Sequence, residues 1–433
     1  MWYNFYENEE QTMILSLEFN NYRMFKDNNI LSFSADTRIK RLLSNTNEIL
    51  NRNVLKSLSL YGQNNIGKSN IVDLFSLIKG TFLGVENLEF NRRLFQDDPL
   101  CEISIIYKTS IDNSWMNYAF AYNSMTFEYI KEELNTVKFY ETGLPHYNNI
   151  FTRNKTDNLY QILGQDYSEL LAFLPSKKSL LYSLSLDNDK FSFLKPYLDS
   201  FNAFGNSIEV VHLFNIPIEK TIDILKSQDE RKKQFVLSFV KNADLSVSDF
   251  FYNDDVQFLD SNTQQAINER ALAGVGGLEQ FKLYTKYGNT MVPSFFFDST
   301  GTKKIEAIAS YLYEAIVEGK TLIVDELDNG LHFKLSRAIL SAFNSFANKK
   351  GQLIFTAHDV ELITCKHMMR KDQIYFAFRD EELKSSLFCL KEASVEEGGP
   401  RTAEDLLKHY NRSEFGYVPA PNFLMDIAEY IKG

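Results

Sequence analysis

Between residues 14 and 33, apolar and polar positions alternate with a period of two, which predicts strands over 14–19 and 30–33 around a polar turn holding Arg23, Lys26 and Asp27. A short apolar run at 57–61 reads as a further strand. It leads through a glycine-bearing turn into a helix whose apolar face is Ile71, Val72, Leu74, Phe75, Leu77 and Ile78. Strand patterns return at 102–107 and 115–122, the first entered through a polar loop that contains Gln96. Between 136 and 287 the periodicity weakens. Short helical patterns lie at 219–225 and 230–239, and 254–277 is polar and then rich in Gly and Ala, like a surface connection. Past Phe295, the positions Ile305, Ile308, Ala309, Leu312 and Ile316 recur at helical spacing, and strands follow at 322–326 and 352–356. Residues 1–12 read as a loose extension, and there is no internal repeat or sustained heptad.

This alternation of strands and helices predicts an α/β fold. A chain of 433 residues exceeds what one core usually organises. The expected division is a first lobe over 1–135, an inserted and mostly helical arm or lid over 136–287, and a second lobe over 288–433. Hydrophobic content of 44% with 24% charged residues describes a soluble globular protein, and 36 Phe with 23 Tyr supply a substantial core. The net charge of −11 argues against a surface that is basic throughout, while leaving room for a local basic groove. Cys101, Cys365 and Cys389 are widely spaced in apolar runs and read as buried thiols in a reducing compartment. The start lacks the basic and apolar regions of a signal peptide, and no apolar run approaches a membrane span. The expectation is a cytoplasmic protein without a membrane partner.

The candidate chemistry begins at the turn after the 57–61 strand, where Gly62, Gln63, Asn64, Asn65, Ile66, Gly67, Lys68, Ser69 and Asn70 form a P-loop pattern. Backbone N–H groups and the positive end of the following helix face a polyphosphate, Lys68 reaches its terminal phosphates, and Ser69 is placed to put its hydroxyl on Mg²⁺. The 322–326 strand ends in Asp325 and Glu326, the Walker B form: one carboxylate for Mg²⁺, the next to orient and deprotonate the attacking water. These two elements lie much further apart in sequence than one β–α–β unit requires, so the site must be assembled from two distant lobes. Ser299 and Gly301 precede the helix bearing Ile305 and would make a second anion-binding N-terminus; a plain helix cap is the alternative. His358, at the end of the 352–356 strand, can sense a γ-phosphate. Arg23 and Phe25 would offer a cation and a stacking face to a nucleotide base, with an ordinary hairpin turn as the alternative. His146 and His212 stand alone and carry no assignable chemistry.

In this order, a P-loop, a Ser-x-Gly ahead of a helix, an Asp-Glu pair, Asp328 and a strand-end histidine resemble the ATP-binding cassette heads of the RecF/SMC group. The form Tyr-Gly-x-Asn-x-x-Gly-Lys-Ser-Asn at 61–70, Ser-x-Gly-Thr at 299–302 and Asp-Glu-Leu-Asp-Asn-Gly-Leu-His at 325–332 is similar to the stand-alone ATPases of bacterial abortive-infection and phage-defence systems. These are the RloA and AbiL types, related to the ATPase half of overcoming-lysogeny-defect nucleases. A late stretch at 412–419 adds to the likeness, which covers roughly the first 130 and last 145 residues. The resemblance implies a P-loop NTPase of ABC/SMC-head type that uses ATP and Mg²⁺. Lys68 would bind the β/γ-phosphates, Ser69, Asp325 and Gln96 would serve Mg²⁺, Glu326 would be the general base and His358 the γ-phosphate sensor. Ser299 and Gly301 would reach the nucleotide of a second subunit, with Asp328 at the seam of a head-to-tail dimer.

Too few residues follow His358 for an attached Toprim nuclease, so the resemblance implies a sensor ATPase controlling a separately encoded toxic effector, with DNA or a phage component as a further binding candidate. The alternative is a RecF-like DNA-repair clamp. A nucleotide-binding scaffold without turnover is disfavoured by the presence of both Glu326 and His358.

Overall fold

The computed structural model describes residues 12–86, 88–91, 98–108, 114–140, 144–185, 191–254, 278–364, 368–380 and 382–393. Gln96, Cys365 and the stretch at 412–419 lie outside them.

β1 (Ile14–Asn20) and β2 (Asn28–Ser32) form the antiparallel pair expected from the alternation. A small hairpin of β3 (Thr46–Ile49) and β4 (Arg52–Leu55) leads into β5 (Ser57–Tyr61). Every residue of β5 is buried, because it lies inside a parallel sheet covered on both faces. α1 (Lys68–Leu83) follows and ends on Gly84, whose left-handed backbone lets its N–H return to the carbonyl of Gly80.

β6 (Leu100–Lys108), β7 (Trp115–Asn123), β8 (Glu128–Phe139), β9 (Pro145–Asn154), β10 (Leu159–Ile162) and β11 (Gln165–Asp166) then build an antiparallel sheet of order β11-β10-β9-β8-β7-β6-β1-β2. α2 (Lys195–Ser207) packs against α1 through aromatic rings. Phe201 stacks on Phe82 at 3.9 Å between centroids, and Phe204 stacks on Tyr107 of β6 at 4.0 Å. One hydrophobic core thus joins α1, α2 and the antiparallel sheet.

β12 (Ile208–His212) comes next, then α3 (Glu219–Lys226) and α4 (Glu230–Ala243). β13 (Asp249–Tyr252), β14 (Leu283–Tyr287) and β15 (Thr290–Pro293) make a three-stranded sheet before α5 (Thr300–Ile316). The chain continues through β16 (Thr321–Asp325), α6 (Phe333–Phe343), β17 (Gln352–Thr356), β18 (Ile374–Arg379) and β19 (Ser385–Cys389). The central sheet has the order β12-β16-β17-β5-β18-β19, parallel except for the last strand. A second core fills its other face with side chains from α3 to α6.

The region expected to be an inserted helical arm is placed differently. Its start at residue 136 falls inside β8, and β9 to β11 extend the antiparallel sheet. α2 packs on α1, and β12 supplies an edge strand of the central sheet. α3 and α4 are the two helices read from the pattern, and they pack along α5 rather than projecting away. Strand pairing over long sequence separations explains the difference, since the weak local periodicity at 145–166 is rescued by cross-strand neighbours.

Gln352, fully buried at the start of β17, ties the two sheets together. Its carbonyl accepts from the Ile14 N–H at 2.7 Å, and its amide donates to the carbonyls of Ile14 at 3.0 Å and Leu55 at 3.1 Å. Replacing it with leucine would strand three backbone groups away from water. Gln352→Leu is expected to destabilise the fold by about 3 kcal/mol, read as a lower urea midpoint with little change in slope.

Candidate nucleotide-binding site

The carboxyl ends of β5, β16 and β17 meet at one edge of the central sheet, where open parallel sheets place their ligand crevices. Parallel register sets the partners: His212 lies level with Asp325, and Thr356 level with Leu60, near the start of the P-loop. A cavity of about 360 Å³ opens there. It is lined by Met24, Gln63, Asn64, Asn65, Gly67, Lys68, Ser69, Asn70, Asp325, Glu326 and His358.

Gly62 and Gly67 both have positive φ. A Cβ on Gly62 would come within 2.7 Å of the Ala377 carbonyl, and one on Gly67 within 2.8 Å of the Phe25 ring, so neither position admits a side chain. The loop is held from behind: Ser385 Oγ donates to the Ile66 carbonyl at 2.7 Å, and Arg379 donates to that of Asn65. Ile66 is buried beneath the loop.

Lys68 is buried and folds back on its own loop, with Nζ donating to the carbonyls of Gly62 at 2.7 Å and Gln63 at 2.6 Å. Burial pushes its ammonium down to about 8, against the opposing pull of Asp325, Glu326 and Asp328. Burial alone would raise the Asp325 carboxyl. Hydrogen bonds from His212, Thr356 and Ser69 outweigh it and hold the group below its ordinary value. Thr356 is the bracket between the two acids: its hydroxyl donates to Asp325 Oδ1 at 2.6 Å and accepts from the Glu326 N–H at 2.7 Å. Glu326 itself has a left-handed backbone (φ 57°), its Oε2 accepts from Asn329 Nδ2 at 2.5 Å, and its Oε1 stands 3.8 Å from His358 Nε2.

Arg23 and Phe25 follow the hairpin-turn alternative, and Asp328 and Ser299 make defined contacts within this chain. Phe25 is fully buried against Phe19 and the P-loop glycine, so it offers no face to a base; Met24 lines the cavity instead. Arg23 is paired with Asp73 and leans on Asn70 and the Tyr22 ring. Asp328 is engaged within its own chain, where Oδ2 accepts from the N–H groups of His358 at 2.8 Å and Asp359 at 2.6 Å. Ser299 caps α5, accepting from the Thr302 N–H at 3.1 Å, and neither it nor Gly301 lines the cavity of this chain.

His212 is the residue sequence reasoning passed over. Its Nδ1 lies 3.1 Å from Asp325 Oδ2, and that hydrogen bond raises its imidazole above the ordinary range. The short run at 208–212 ends in a polar residue much as the Walker B strand does, but only the pairing of β12 with β16 reveals their contact. Thr356 and Asn329 were likewise seen only as neighbours of the motif residues.

The donor set fits Mg²⁺ carried with a nucleotide. Ser69 and Asp325 offer hard oxygen donors within hydrogen-bonding contact of each other, and among the described residues no group of three or more His, Cys, Asp or Glu would hold a metal unaided. Fold and site together define a P-loop nucleotide-binding protein. The family described as "AAA domain, putative AbiEii toxin, Type IV TA system" matches residues 57–364, and the chain belongs to it. Among curated proteins, nothing matches this chain.

Similar solved structures include the SMC head domain from Thermotoga maritima, with 12% identity, a TM-score of 0.41, and 87% of this chain and 98% of that one covered. Another is the SmcHead bound to the C-winged helix domain of ScpA, with 13% identity, a TM-score of 0.43, and coverage of 88% and 99%. A third is the recombination mediator protein RecF with ATPrS, with 10% identity, a TM-score of 0.36, and coverage of 88% and 99%. The class rests on the strand order around the P-loop and on the family match, not on these scores.

The Lys68 environment generates a pH dependence. A bound polyphosphate favours the charged ammonium, so binding at pH above 8 must be accompanied by proton uptake, and affinity falls as pH rises. ATP affinity measured by titration calorimetry is expected to drop severalfold between pH 7.5 and 9, and a Lys68→Ala variant should bind weakly without that slope.

Proposed function

We propose that the chain is a Mg²⁺-dependent ATPase that works as an ATP-switched clamp of two head-to-tail copies. In this reading, Lys68 and the P-loop amides hold the phosphates, and Ser69 and Asp325 hold Mg²⁺, which supplies charge neutralisation at the phosphates. Glu326 orients and deprotonates the attacking water, and His358 senses the γ-phosphate. The observation that carries it is the convergence of Lys68, the adjacent Asp325 and Glu326, and His358, from three separate segments, on one cavity.

The dimer is supported by the position of α5. Ser299 and Gly301 form a capped helix N-terminus beside the loop after Glu326, yet lie outside the lining of their own cavity, as expected of groups that serve the nucleotide of a second copy. The family description, which names a type IV toxin–antitoxin system, supports a setting in abortive infection, and in this reading the clamp controls a separately encoded toxic effector; a RecF-like DNA-repair clamp is the alternative. No helix among the described residues is long and apolar enough to cross a membrane.

Mg²⁺-dependent ATP hydrolysis by wild type and Glu326→Gln, with mass measured in ATP, tests the reading. Slow turnover is expected in the wild type, and its loss in Glu326→Gln should accompany accumulation of an ATP-bound dimer or larger assembly. Unchanged turnover in the variant would remove Glu326 from the role of base.

A further inference from the structure

We infer that Lys304 is a positioning residue for Glu326, acting through Asn329, and that it thereby couples the N-terminus of α5 to hydrolysis. The inference rests on the reading of Glu326 as the base.

Lys304 lies in the second turn of α5 with its side chain buried. Its Nζ donates to both the backbone carbonyl and the Oδ1 of Asn329, each at 2.9 Å. Those two contacts leave the Asn329 amide only one way to face, and its Nδ2 donates to Glu326 Oε2 at 2.5 Å. The Asn329 N–H also returns to the Glu326 carbonyl at 2.8 Å, closing a tight turn around Leu327 and Asp328. Glu326 is therefore aimed by a turn whose far corner is gripped from α5.

A buried ammonium that satisfies an amide is costly where an aliphatic side chain would pack as well. The cost is explained if the orientation of that amide matters, since a misplaced catalytic group loses rate steeply with small displacements. The first turn of α5 also abuts the same loop directly. A Cβ on Gly301 would lie 3.3 Å from the Gly330 carbonyl, and Gly330, whose φ of +69° disfavours a side chain, lies so close to Lys304 that a Cβ there would be 2.8 Å from Nζ. Whatever docks on Ser299 and Gly301 presses on a turn that ends at the base. Engagement of a second copy's nucleotide and activation of the first copy's water are thereby joined through three residues of one chain.

The test compares full-length Lys304→Met, Asn329→Ala, their double variant and Glu326→Gln. Single-turnover ATP hydrolysis, the Kd for a fluorescent ATP analogue and thermal melting are read for each. Lys304→Met and Asn329→Ala should each slow hydrolysis about tenfold or more, with Kd within about twofold of wild type. The double variant should be no slower than the slower single, because both act along one path. A Lys304→Met rate within about twofold of wild type, rates that multiply in the double, or loss of nucleotide binding together with rate would each overturn the inference. Should Lys304→Met fail to fold, Asn329→Ala decides it by the same criteria. Wild-type turnover in Glu326→Gln would instead defeat the reading on which the relay depends, so the two failures are distinguishable.

Discussion

The parallel pairing of β12, β16, β17 and β5 is the constraint from which the site follows. Strands in register bring residues distant in sequence to one level, and the level reached at the carboxyl edge holds His212, Asp325 and Thr356 beside the start of the P-loop. A slip of one residue would turn Asp325 away from the crevice and leave Thr356 unable to bracket it. The fully buried β16 and β17 resist such a slip, because their apolar residues face cores on both sides.

Charge in this crevice is arranged so that it becomes useful when phosphate arrives. Lys68 is desolvated and satisfied by carbonyls of its own loop, with three carboxylates near enough to hold back the fall in its pKa. Asp325 stays ionised despite burial because three side chains donate to it. A polyphosphate offers the ammonium a better partner than two neutral carbonyls, and the anchored loop need not reorganise to receive it. Preorganisation of the acids likewise comes from Thr356 and Asn329, neutral groups that aim the carboxylates without adding charge.

The rest of the molecule serves to keep that edge stiff. The aromatic layer of Phe82, Phe201, Phe204 and Tyr107 fixes α1 between the two sheets, and α1 carries Lys68 and Ser69 in its first turn. Gln352 joins β17 to β1 and to the end of β4, so the hairpin that delivers Met24 to the cavity is referenced to the same strand that ends in Thr356.

Local chemistry was legible along the chain wherever a residue's role depends on its near neighbours. The P-loop glycines, the cap at Ser299, the apolar stripe of α5 and the carboxylates closing β16 are all specified within a few residues, so their elements and candidate roles could be read directly. The helical patterns at 219–225 and 230–239 followed from periodicity in the same way, and the helices themselves run to Lys226 and Ala243. What the tertiary structure alone decided are the relations across long separations. It made 145–166 part of the antiparallel sheet, buried Phe25 beneath Gly67 and set His212 against Asp325. It also turned Asp328 toward the His358 backbone and placed Lys304 behind Asn329. Side chains such as these have no sequence signature, because their meaning comes from strand register and helix docking, which no short window of residues contains.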